Sequence, residues 1–161
     1  MPAYDARDHM SREELMSTPQ EQFEEMPLLP AGHYFGQITR HEFTQVGENN
    51  TDALDYFVQL IEPAADVASE AAGIPLREYE QRARFFITKR AMFRLRYFHK
   101  SLGYSESLPA DAVIPETTGA RVLLTISKVS LAARGNRPAR EINSVDEIVG
   151  AGIEAGTAVA A

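Results

Sequence analysis

The sequence contains no cysteine, which excludes disulfide bonds and metal sites built from thiolates. Its 161 residues must therefore be held together by a packed core, and a chain of this length can bury one as a single domain. No apolar run approaches the roughly 18 residues that a membrane-spanning helix needs, and residues 1–10 lack the pattern of a signal peptide. We therefore expect a cytoplasmic protein that does not enter a membrane.

Recognisable catalytic and metal-binding motifs are also absent from the sequence. It contains no phosphate-binding glycine loop, no GxSxG and no HExxH. His33 and His41 are predicted to share one face of a strand, but about 26 Å of strand separates them, so they cannot share a metal. Glu42, Asp52 and Asp55 could bind a divalent cation, although carboxylates near turns are ordinarily just solvated. We expect no enzymatic activity, no metal and no cofactor.

Charge is unevenly distributed along the chain. The formal net charge is −7, but residues 82–140 contain 12 of the 16 lysines and arginines and only three acidic residues. This segment carries +9, and the remaining residues carry −16. A basic block within an acidic chain can still attract a polyanion. The alternative is that acidic and basic segments neutralise each other within one fold.

The strongest pattern lies in residues 82–104, RARFFITKRAMFRLRYFHKSLGY. Ala83, Phe85 and Ile87 alternate with Arg82, Arg84 and Phe86, and this period of two predicts a half-buried strand. From about residue 88 the apolar positions follow the spacing of one helix face: Ala91, Leu95, Phe98 and Leu102. We expect Thr88 to cap this helix and Gly103 to end it.

Similar patterns predict the other elements. Strands are expected at residues 28–46, 53–62, 78–87, 119–130 and 141–149, with a short helix or ordered loop at 64–78. Residues 1–27 form an acidic arm with one or two short helices, 28–149 form one domain, and 150–161 form a disordered tail. The order β-β-β-α-β-β predicts a mainly β fold, a five-stranded OB-type barrel with its helix between the third and fourth strands.

Strand alternation predicts which side chains line the barrel and which face solvent. Three rings are predicted to point inward: Tyr34, Tyr56 and Phe85. The rings that follow them are then predicted to point outward: Phe35, Phe57 and Phe86. Arginines of the third strand and of the loop between the fourth and fifth strands would lie beside the outward rings: Arg82, Arg84, Arg134, Arg137 and Arg140.

Outward rings beside arginines are what single-stranded nucleic acid requires, because bases stack on rings while cations pair with phosphates. We therefore predict that these three outward phenylalanines and five arginines bind nucleic acid. In the alternative interpretation, each ring packs under residues 1–30 or against a partner subunit. An error of one residue in register would exchange the two faces.

Four segments resemble the OB-fold single-stranded-DNA-binding proteins of bacteriophages. They are LPAGHY at 29–34 leading into Ile38, YFVQL at 56–60, FFITKRAMFRL at 85–95 with LG at 102–103, and TGARVLLT at 118–125. The resemblance covers about residues 27–149 and depends on the order of the segments. Such proteins usually end in a strongly acidic tail, whereas residues 153–161 carry one charge, and the first half of this chain is more acidic than DNA coating needs.

This resemblance implies binding of single-stranded DNA without strong sequence preference, in phage DNA replication or recombination within the host cytoplasm. Replication or recombination proteins would be further partners, and a homo-oligomer is compatible with the family. The alternative is a phage virion or regulatory module that uses the same barrel to bind a protein. Salt dependence distinguishes the two, since DNA binding weakens steeply as salt rises.

Overall fold

The computed structural model describes residues 11–17, 27–136 and 138–151. Over these residues the fold is mainly β, with one five-stranded antiparallel sheet and few helices, as the sequence predicts. The strands are β1 (Gly32–Val46), β2 (Thr51–Pro63), β3 (Glu80–Phe86), β4 (Arg121–Leu131) and β5 (Arg140–Gly150). The helices are α1 (Arg12–Ser17), α2 (Met92–Ser101) and α3 (Ala110–Val113), with 3-10 turns at Leu76–Glu78 and Ile114–Thr117.

The strand order in the sheet is β3-β2-β1-β4-β5, and neighbouring strands are antiparallel. The two outer strands, β3 and β5, therefore both run in the direction of β1. They also approach each other, with Cα atoms within 8 Å, but no hydrogen-bond ladder joins them in the described part of the chain. The sheet is open between β3 and β5, so the closed barrel stays a prediction.

The inner face of the sheet carries the core. The predicted inward rings Tyr34, Tyr56 and Phe85 are all buried. Aliphatic residues at alternate positions of β1, β2 and β4 complete this face: Ile38, Leu54, Val58, Leu60, Val122, Leu124 and Ile126. The prediction that these three rings point inward is confirmed, and the aliphatic residues follow the side-chain period of two that a half-buried strand shows.

One extra residue in β1 changes this period halfway along the strand. Ile38 pairs with Val58 on β2, whereas Arg40 pairs with Phe57, the preceding residue of β2. No residue of β2 therefore lies opposite Thr39 in the ladder. An unpaired residue of this kind is a β-bulge, and it exchanges the two faces for the residues that follow. Arg40 consequently lies on the outer face, opposite Phe57.

The prediction that His33 and His41 share a face is wrong for this reason. His41 lies opposite the buried Tyr56, with ring centroids 6.4 Å apart, and so belongs to the inner side of the sheet. His33 precedes the bulge and stays on the outer side, where its Nδ1 lies 2.7 Å from a carboxylate oxygen of Asp66. A bulge leaves no mark in the apolar pattern, so the sequence could not show it.

Helix α2 begins at Met92, later than the predicted start near residue 88. Thr88 does accept a hydrogen bond from the Ala91 N–H through its side-chain oxygen, at 3.1 Å, but this bond closes the turn before the helix. The predicted end is confirmed, because Gly103 adopts a φ of +97°, which favours glycine, and its N–H bonds to the carbonyl of Lys100.

Helix α2 packs its apolar face against the inner side of the sheet. Phe98 stacks on Phe85 with ring centroids 5.6 Å apart and lies 5.4 Å from the ring of Tyr56. The last turn of the helix contacts the end of β5, where the Gly150 N–H donates to Ser101 Oγ at 2.7 Å. A side chain at Gly150 would meet the Ser101 carbonyl at 2.3 Å, so only glycine allows this approach.

His99 of α2 forms a buried hydrogen bond with Tyr56, whose hydroxyl lies 2.7 Å from His99 Nε2. Burial lowers the pKa of His99 below its ordinary value. The unfolded chain therefore takes up a proton before the folded chain does, and folding stability falls as the pH drops below about 6.5. We expect His99 to lower the free energy of unfolding by at most about 1.4 kcal/mol for each pH unit below that value.

Urea unfolding at pH 7.5 and 5.5 measures this loss. His99→Gln keeps a polar group beside Tyr56 but cannot titrate in this range, so the variant should lose less stability than the wild type between the two pH values. An equal loss in both proteins would show that His99 is not held neutral by the fold.

The segments outside the sheet match their predictions in part. Residues 64–78 form an ordered connection of turns, and α1 lies within the predicted arm. The other residues of the arm before 27, and residues 152–161 of the predicted disordered tail, lie outside the described ranges. Where the structure describes the chain, no helix has the length and apolarity that crossing a membrane requires.

Candidate nucleic-acid interface

A groove separates β3 from β5 on the open side of the sheet. Side chains of β3, residues 142–145 of β5 and Phe57 of β2 line it, and its volume is about 350 Å³. We call it the β3–β5 groove. Phe57, Arg82 and Arg84, three of the eight predicted binding residues, line it together.

Arg82 is the free cation of this groove. It lies opposite Phe57 in the β2–β3 ladder, and residues opposite each other in an antiparallel pair share a face. Its side chain is exposed and forms no ion pair with any carboxylate of residues 11–17, 27–136 or 138–151. Phe57 is half-buried beside it. A ring and an unpaired guanidinium thus lie side by side on the groove wall.

Arg84 is tied to Asp55 instead of being free. Its Nε and one terminal nitrogen donate to the two carboxylate oxygens of Asp55 at 2.7 and 2.8 Å. Hydrogen bonding to Asp55 raises the pKa of Arg84, and Asp55 is only 3% exposed. The charge of Arg84 is therefore neutralised by its partner, and the arginine stabilises the β2–β3 ladder. Its predicted contact with phosphate would have to compete with this bond.

Arg40 covers one side of the Phe57 ring, a contact that the sequence did not predict. Its guanidinium carbon lies 3.6 Å from the ring centroid. Arg40 also forms ion pairs with Glu42 and, at 3.3 Å, with Glu80. A guanidinium this close to a ring is attracted to the ring face, and its own plane is a surface on which a base can stack.

Phe35 lies apart from the groove. It is half-buried on the outer face of β1, opposite Leu123 of β4, with Arg121 5.5 Å from its ring centroid. Arg121 in turn bonds to Glu62 at 2.6 Å. Arg40 lies five positions after Phe35 on β1, a distance of about 16 Å along the strand. The structure therefore does not bring Phe35 and Phe57 into one compact platform.

The remaining predicted residues extend the interface at both ends. Phe86 lies two residues beyond Arg84 on the same face and is 43% exposed. Arg134 and Arg140 are exposed on the hairpin that joins β4 and β5, and neither forms an ion pair with a described carboxylate. Arg140 precedes the groove residues of β5 by two positions. Arg137 lies outside the described residues.

Some cations of the basic segment pair with carboxylates of the same fold, whereas others pair with none of the carboxylates that the structure describes and could attract a polyanion. Four cations of the basic segment form ion pairs within the fold: Arg84 with Asp55, Arg121 with Glu62, and Arg96 and Lys100 with the single carboxylate of Glu106. The cations that remain unpaired among described residues include those of the groove and the hairpin, Arg82, Arg134 and Arg140. Within the described ranges, no cluster of three or more histidines and carboxylates could hold a metal ion.

No protein-family model matches the sequence, and no curated protein matches it. The resemblance to phage DNA-binding proteins thus stays a prediction, and the geometry of the groove is what bears on function.

Proposed function

We propose that this protein binds single-stranded DNA, without strong sequence preference, in the β3–β5 groove. The observation that carries the proposal is the pair formed by Phe57 and Arg82, a ring and an unpaired cation on one groove wall. A base stacked on a protein ring contributes about 1–3 kcal/mol, and an adjacent cation can pair with the phosphate of the same nucleotide. Arg134 and Arg140 extend the positive surface along the hairpin.

The order of the elements supports an OB-type scaffold for this function. OB folds bind nucleic acid on strands two and three, between the loops that join strands 1–2 and 4–5. The Phe57–Arg82 pair joins β2 to β3, and the arginine-bearing hairpin joins β4 to β5. The proposal places the protein in phage DNA replication or recombination, the setting that the sequence resemblance implies.

Titration of a labelled single strand and of the matching duplex, each at about 50 and 200 mM salt, tests the proposal. We expect the single strand to bind more tightly, because only its bases are free to stack. Three arginine–phosphate contacts give a log–log slope near −2, so affinity should fall about 20-fold over this fourfold change in salt. Absence of binding, or binding that salt does not change, would contradict the proposal and favour a protein partner.

A further inference from the structure

A second groove lies next to the β3–β5 groove, on the side towards α2. It has a volume of about 420 Å³ and lies between α2 and β5, and the β5 residues that line it, 146–149, follow directly on those that line the first. The opposite wall of this second groove is formed by Phe85, near the end of β3, and by side chains of α2. We call this second part the α2–β5 groove. An extended ligand in the first groove would be led along β5 into the second.

Two rings on α2 face this groove without being part of the core. Phe93 and Tyr97 are 52% and 58% exposed, although their neighbours Leu95 and Phe98 are buried. They lie one helical turn apart, with ring centroids separated by 6.1 Å. Since α2 buries its other face against the sheet, these rings lie outside the core cluster that holds the helix. Large exposed rings of this kind are typical of binding surfaces.

The charges around the rings are arranged asymmetrically. Arg94 lines the groove on the helix side and forms no ion pair within the described part of the chain, and α2 contains no acidic residue. The opposite wall carries Asp146 and Glu147, and Asp146 accepts a hydrogen bond from Ser127 Oγ at 3.0 Å. A phosphate is therefore attracted to the helix side and repelled from the β5 side. The phosphate of a bound nucleotide would therefore lie near Arg94 and away from the two carboxylates.

We propose that the α2–β5 groove is a second nucleobase subsite, in which Phe93 and Tyr97 stack bases and Arg94 pairs with the phosphate backbone. This inference rests on the proposed function and adds to it that a bound single strand runs from the β4–β5 hairpin along β5 to α2. Short oligonucleotides fill only the first groove, whereas longer ones engage both. The carboxylates of Asp146 and Glu147 lie where they can accept hydrogen bonds from base amino groups.

A length series of oligonucleotides, from about 4 to 16 nucleotides, tests the subsite. The variant Phe93→Ala plus Tyr97→Ala removes two exposed rings and should leave the fold intact. We expect it to bind the longest strand at least about 30-fold more weakly than the wild type, since two stacking contacts are lost, and the shortest strand equally well. Phe43→Ala, which removes another exposed ring outside both grooves, is the matched control and should bind all lengths like the wild type.

A fluorescence readout locates the contact directly, because the protein contains no tryptophan. Tyr97→Trp introduces a single reporter, whose emission should be quenched by the longest strand and not by the shortest; Phe43→Trp should show no quenching. The subsite is overturned if the double alanine variant binds the longest strand like the wild type while Arg82→Ala binds that strand more weakly. That outcome leaves the proposed function intact. If the wild type binds no oligonucleotide of any length, the proposed function fails and the subsite with it.

Discussion

Replacement of Arg84 by alanine is expected to destabilise the protein by about 3 kcal/mol. The substitution removes both hydrogen bonds to Asp55 and leaves a carboxylate that is 3% exposed without a cation. A buried charge that loses its partner costs more than the pair contributes, because the charge has to be desolvated alone. Chemical denaturation, read as the free energy of unfolding, measures the effect.

The double variant Asp55→Val plus Arg84→Met is the informative control. It removes the stranded charge together with its partner, so we expect it to be more stable than Arg84→Ala alone. Arg84→Lys keeps the charge but cannot form the bidentate bond, and should fall between the wild type and the alanine variant. If Arg84→Ala unfolds at the same denaturant concentration as the wild type, the arginine does not stabilise the ladder and is available to a ligand.

The second large effect is expected on DNA binding. The combined substitution Phe57→Ala plus Arg82→Ala removes the ring and the free cation that face each other across β2 and β3. We expect the affinity for a single strand to fall about 10- to 100-fold, since one stacking contact is worth about 1–3 kcal/mol. Fluorescence anisotropy at low salt measures this loss, and thermal unfolding verifies that the variant is folded.

Phe35→Ala plus Arg121→Gln provides a matched comparison. These residues form a second ring–arginine contact on the outer face, but one that lies about 16 Å from Arg40 along β1 and outside the groove. Its loss should change affinity less than the loss of the groove pair. An equal reduction in both variants would show that DNA crosses the whole outer face, and undiminished affinity in the Phe57 variant would remove the groove from the site.

Much of this fold could be predicted because its strands have one buried face. Alternation in β1, β2 and β3 placed Tyr34, Tyr56 and Phe85 in the core, and Gly103 marked the end of α2. These signals are local, and each depends on a few neighbouring residues. The mainly β class and the helix between β3 and β4 followed from them.

The candidate site was harder to predict because it depends on contacts between distant residues. The bond between Arg84 and Asp55 joins residues 29 positions apart, and no pattern in the sequence reveals that it neutralises the arginine. The bulge at Thr39 placed Arg40 over Phe57, whereas strict alternation had it facing inward. From the sequence alone, Phe93 and Tyr97 had no predicted role, since only the approach of β5 makes their side of α2 a groove wall.

The same bulge limits how the length of this chain can change. Loss of a single residue between Tyr34 and Arg40 would turn the guanidinium of Arg40 towards the apolar side of the sheet and the ring of His41 towards water. The turn at residues 47–50 is less restricted, because its side chains are exposed and lie outside the strands. Insertions and deletions compatible with folding therefore belong at that turn, while the strand that presents Arg40 to Phe57 keeps its length.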